Sequence, residues 1–201
     1  MKTRSASCFI LFLSVSAWVG LPANVGAQPV SPPVLILLQN DADVSPAIVA
    51  KAQAEVVRLY GLIGVEITWV TKVPEPGQRL RIVCLVAWEP ADRPESVLAL
   101  TNTGQGGRGI LAYVFWPRIV RASQRFTAAQ DNLLGVVIAH ELGHMLLPNQ
   151  SHAKHGLMED PWNSGHFRMA SAGLLHFAGE SGDLIRRGLI AEASVAQRAG
   201  R

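Results

Sequence analysis

Apolar and polar positions follow two periods along this chain, and the switch between them marks out its elements. Residues 34–38 (VLILL) form a short, continuous apolar run with polar residues behind it, which predicts a buried strand. Ser45 and Pro46 then supply an N-cap and a proline in the first helical turn. Ile48, Ala52, Val56, Leu59 and Ile63 recur at helical spacing, so a helix runs to about Leu62 and is ended by Gly61 or Gly64. Residues 65–70 (VEITWV) alternate as a strand, 80–86 (LRIVCLV) form another and 110–116 (ILAYVFW) a further one. From 127 to 147 the period returns to helical: Leu133, Leu134, Val137, Ile138, Leu142, Met145 and Leu146 wrap most of the circumference, as in a helix buried on nearly every side. The order strand, helix, strand, strand, strand, helix predicts an α+β fold, a small twisted mixed sheet with two main helices. Beyond residue 158 the chain reads as short and mostly irregular. Residues 167–177 pack back on the core, and a terminal helix spans 181–193.

Residues 89–109 are rich in proline, glycine and polar side chains and read as a loop. Its last six residues satisfy G-x-G-x-x-G, but a dinucleotide fingerprint needs a strand before it and a helix after it. Here a strand follows, so the glycines are read as a flexible turn.

The start of the chain changes the picture of where the protein works. Lys2 and Arg4 precede an apolar run at 9–21 (FILFLSVSAWVGL), too short for the roughly 20 residues that span a bilayer. Val25, Gly26 and Ala27 are the small residues of a cleavage site, with Ala23 as the second choice. The expectation is a signal peptide at 1–27 and a single exported domain at 28–201, periplasmic or extracellular, with no stable membrane association after cleavage. Of 18 Lys and Arg the leader removes two, leaving 16 against 15 acidic residues and a net charge of +1. That near-neutral balance argues against a nucleic-acid or anionic-membrane partner. Cys8 leaves with the leader, and Cys84, inside an apolar strand, is a small core residue.

Chemistry concentrates in the second helix. His140 and His144 are four apart, so they share one helical face, and Glu141 sits on the same turn. Three titratable groups inside an apolar segment would cost several kcal/mol to bury without metal or hydrogen bonds. Gly143 costs about 1 kcal/mol relative to alanine in mid-helix, which suggests a close approach by another group. Pro148 stops the helix, and a chain that doubles back offers His152 or His155 as a third ligand and, less well, Glu159 or Asp160. Three protein ligands plus water describe a catalytic Zn2+ site, and Glu141 stands where a general base would take the proton of an activated water. His166 and His176 are isolated and read as surface or core histidines.

The stretch HELGHMLLPNQSHAKHGLM resembles the metzincin zinc metallopeptidases, whose pattern is H-E-x-x-H-x-x-G-x-x-H followed by a methionine turn beneath the metal. More narrowly, it is similar to compact exported bacterial proteins that place HELGHLLLG before a histidine and a G-[IL]-M. The resemblance implies zinc held by His140, His144 and His152, with His155 as the competing third ligand. It also implies Glu141 as general base, Met158 as the turn methionine, and peptide or protein as substrate. An extended substrate would lie antiparallel to the sheet's edge strand, which by position is the one carrying Ile110, Ala112 and Tyr113. Two positions depart from the pattern: Leu147 stands where it has glycine and Gln150 where it has the third histidine, so His152 comes two residues late. Some family members add a tyrosine after the methionine turn, and none follows Met158 here. The expectation is a zinc metalloendopeptidase. The alternatives are a catalytically inactive zinc- and peptide-binding module of the same fold and a metal-free scaffold.

Overall fold

Val34 and Ile36 of β1 (Val34–Asn40) turn into the core, as alternate positions of a strand do. The structure, a computed structural model, describes residues 32–74, 80–103, 109–148 and 151–199; the expected leader, its cleavage site and the glycines at 104–107 lie outside them. After β1 the Asn40 side chain braces the loop, donating to the Val44 carbonyl at 2.8 Å and accepting from its N–H at 3.0 Å. Helix α1 (Pro46–Gly61) follows. Ser45, read as its cap, makes no side-chain capping bond, so the start rests on the fixed φ of Pro46. Leu62 is the C-cap, and Gly64, at φ 70°, turns the chain into the next strand.

That strand is β2 (Ile67–Val70), parallel to β1 with α1 as the crossover, and β3 (Leu80–Val86) pairs parallel with the other side of β1. Then come β4 (Ala99–Thr103) and β5 (Gly109–Phe115), giving one sheet in the order β2-β1-β3-β5-β4. Four strands are parallel, and β4 is antiparallel to β5 at the edge. The expected strand at 110–116 is therefore an interior one. Ile110, Ala112 and Tyr113 lie on β5, which is paired on both sides; the edge strand beside it is β4, inside the stretch read as loop, and β2 is the other edge of the sheet.

Trp116 continues the apolar run but belongs to α2 (Trp116–Phe126), where Pro117 is tolerated because the first turn has no carbonyl to bond. Thr127 ends α2 in the left-handed region, at φ 52°, and α3 (Gln130–Leu146) starts three residues later than residue 127. Among the described residues there are five helices rather than two main ones. The C-terminal part, expected to be mostly irregular before a terminal helix at 181–193, has that helix as α5 (Gly179–Ala199), and the stretch before it carries the additional α4 (Ser164–Ser171). Asn163 starts α4 by accepting from the N–H groups of Gly165 and His166.

Helix α3 is the centre of the molecule. Every residue from 133 to 146 is buried, and α3 contacts β3, β4, β5 and each of the other helices. Ile36, Val83, Leu85, Ala112 and Val114 from the sheet meet Val56 and Leu59 of α1 and Leu134, Ile138 and Leu142 of α3 in one core. A Cβ at Gly135 would stand 2.7 Å from the Glu55 Cβ and 2.8 Å from the Ala52 carbonyl, so that glycine lets α1 and α3 touch backbone to backbone. The opposite sheet face carries a smaller cluster of Cys84, Val86 and Phe115, with the Trp88 ring 5.3 Å from that of Phe115. Cys84 is buried, and its thiol is 3.0 Å from the Gln39 Oε1. A buried ion pair, Arg81 with Glu192 at 3.6 Å, ties α5 to β3. No helix among the described residues is long and apolar enough to cross a membrane.

Candidate metal centre

One turn of α3 places His140 and His144 on the same face with Nε2 of each 3.0 Å apart. The Nδ1 of His140 is 2.7 Å from the Leu157 carbonyl oxygen, which can only accept, so Nδ1 carries the hydrogen. Burial, and after it the neighbouring His144 ring, pushes the His140 imidazole down to about 3, which keeps it neutral. Its Nε2 therefore presents a lone pair, aimed at His144. His152 comes in from the loop after the helix, its ring centre 4.7 Å from that of His144 and 5.6 Å from that of His140. The three residues offer ligand atoms within 4.8 Å of one another, close enough to hold a metal ion. Two nitrogens bound tetrahedrally to zinc at roughly 2.0–2.1 Å each stand about 3.4 Å apart, near the separation seen here. The donor set fits the metal that the sequence implies.

His140 and His144 are buried, whereas the His152 side chain is 44% exposed and reaches to 4.0 Å from the Asp160 Oδ2. Of the candidate third ligands, His152 joins the cluster. His155 is exposed and outside the group, Glu159 pairs with His166 at 3.2 Å, and Asp160 stands at the outer side of His152. His166 is a buried structural histidine whose Nδ1 accepts from the Asn163 N–H at 3.1 Å. His176 is exposed.

The floor of the cluster explains the glycine in the motif. A Cβ at Gly143 would overlap the Met158 sulfur and stand 2.9 Å from its Cε, so only glycine lets Met158 lie against the helix. Met158 is fully buried, and its carbonyl accepts from the Ala153 N–H at 2.8 Å, pinning the backbone beside His152. Gly156 makes that turn possible, at φ 79° and with no room for a Cβ, which would come within 2.7 Å of the His176 carbonyl. The next residue, Leu157, donates its N–H to the same carbonyl at 2.8 Å and gives its own to His140. Trp162 closes one side, its ring edge-on to His140 with centres 5.3 Å apart.

Glu141 is buried beside the histidines, and the Thr101 hydroxyl donates to its Oε2 at 2.6 Å. Burial raises its carboxyl to about 7, opposed by the Thr101 bond and assisted by the charge of Asp160. Thr101 lies on β4 and was missed in the sequence, because nothing in ALTNT marks one threonine among its neighbours. The entry to β4 is fixed by Arg118 of α2. Its guanidinium donates to the carbonyls of Pro90, Arg93, Pro94 and Val97 and to Glu89, which uses all five of its N–H groups.

No family model matches this chain, and no curated protein matches it.

Proposed function

We propose that this chain is a zinc-dependent peptidase of the metzincin kind, exported and acting on peptides or proteins with Glu141 as general base. The observation that carries the reading is the convergence of His140, His144 and His152 beside a buried glutamate and over a buried methionine. His140, His144 and His152 would hold the ion, which when bound supplies Lewis acidity toward a water and toward the scissile carbonyl. Glu141 takes the proton of the attacking water and returns it to the leaving amine. His140 is held in one tautomer by the Leu157 carbonyl, so its Nε2 is the unprotonated nitrogen. The open edge at β4 offers unpaired backbone groups to an extended peptide, which would add to the sheet as one more strand.

Metal content of protein purified after expression of the full-length chain tests the reading. About one zinc per folded chain should survive dialysis against a weak chelator, and a stronger chelator should remove both the zinc and any peptide cleavage. Folded protein that retains no metal would overturn the proposal and leave the two rings as hydrogen-bonded core residues.

A further inference from the structure

We propose that Thr101 is the positioning residue for Glu141, and that it joins the open edge of the sheet to the base. The inference rests on the peptidase reading and extends it to a residue outside the motif. The Thr101 Oγ1 stands 2.6 Å from the Glu141 Oε2 and 3.2 Å from the Glu141 carbonyl. With one hydrogen to give, it serves the nearer carboxylate oxygen. Among the described residues this is the hydrogen bond that the carboxylate receives. It makes the two oxygens unlike: Oε2 is held by the strand, and Oε1 is left to collect a proton. Packing holds the buried stem of Glu141, but the last torsion of a glutamate is broad, and the Thr101 bond is what sets the rotation of the carboxylate.

The backbone of Thr101 faces the other way. The Phe115 N–H donates to the Leu98 carbonyl at 3.0 Å, and Leu98 stands one pair before Ala99↔Val114 in the ladder. Bonded and non-bonded pairs alternate in an antiparallel ladder, so Leu100 and Asn102 also turn their peptide groups toward β5, while Ala99 and Thr101 turn theirs outward. Thr101 thus offers N–H and C=O to a docking peptide and its hydroxyl to the base. A peptide that pairs with this residue fixes the strand that fixes the carboxylate. Because binding energy at a remote subsite is then used to orient the reacting group, substrates extended along β4 gain in kcat and not only in KM.

Thr101→Val keeps the shape and branching of the side chain and removes the donor, and Thr101→Ser keeps the donor. On the best-cleaved member of a random peptide library, Thr101→Val should lower kcat about a hundredfold with KM within about twofold. Thr101→Ser should stay within about fivefold of the parent protein. Zinc affinity should be unchanged in both, while Thr101→Val should lower the thermal midpoint by about a few degrees, because the buried carboxylate loses its donor. In Thr101→Val, extending the substrate should change KM alone. Unchanged kcat in Thr101→Val, or equal losses in the two variants, would overturn the assignment. Crystal structures of the zinc-loaded parent and Thr101→Val proteins give a readout free of turnover: a displaced Glu141 carboxylate supports the positioning role and an unmoved one overturns it. If the parent protein cleaves no peptide, the peptidase reading fails and these structures alone decide the role of Thr101.

Discussion

Two regions of this molecule bury histidine, and they do so in opposite ways. At the start of α4, His166 is closed on both nitrogens: Nδ1 accepts from the Asn163 N–H, and Nε2 stands 3.2 Å from the Glu159 carboxylate. The ring has a partner of the right kind on each side, so it completes a helix cap and needs nothing more. On α3, His140 is closed at Nδ1 by Leu157, and its Nε2 is turned onto another ring with a third one nearby. Both residues are buried to a similar degree. Burial is therefore common to the two, and the direction of the remaining lone pair sets them apart.

The contrast can be tested by removing groups from each region. The largest effect is expected at the base: Glu141→Gln should keep zinc and lower turnover by about 10³-fold, read as peptide cleavage by the metal-loaded variant. Turnover within tenfold of the parent would remove Glu141 from that role. Next, His152→Ala should weaken zinc binding by at least about a hundredfold, since even outer-shell partners are worth 10–100-fold. His155→Ala should leave it unchanged; competition with a chelating dye measures both, and the reverse order would move the third ligand to His155. The smallest effect belongs to α4. His166→Ala should cost about 1–3 kcal/mol in urea unfolding, the penalty for stripping a buried bonded group, while zinc affinity stays as it was. A loss of zinc in that variant would mean that the two regions are one site.

What the sequence disclosed follows from what each signal measures. The helical period and the four-residue spacing placed the three groups of α3, and the missing side chain at Gly143 announced a neighbour that the structure identifies as Met158. The strand β4 was hidden because an edge strand of five residues between proline-rich and glycine-rich stretches shows no apolar alternation of its own. Placing the edge at β5 followed from that omission, and Thr101 was lost with it. Helix α2 was hidden behind Trp116, which prolongs the apolar run of the strand, although Ile119, Ala122 and Phe126 do carry a helical spacing. The role of Arg118 could not be read at all, since it depends on five acceptors that only the folded loop brings together.

The packing of α3 has a further effect on time scales. Amide protons in a helix enclosed from residue 133 to 146 should exchange through opening of the whole molecule, which would make the placement of His140, His144 and Glu141 as long-lived as the fold itself. His152 belongs instead to a surface turn, 44% exposed and anchored through its neighbour Ala153. If the centre takes an ion, as proposed, its exposed side is that of His152, so residence time would follow a turn and placement a helix.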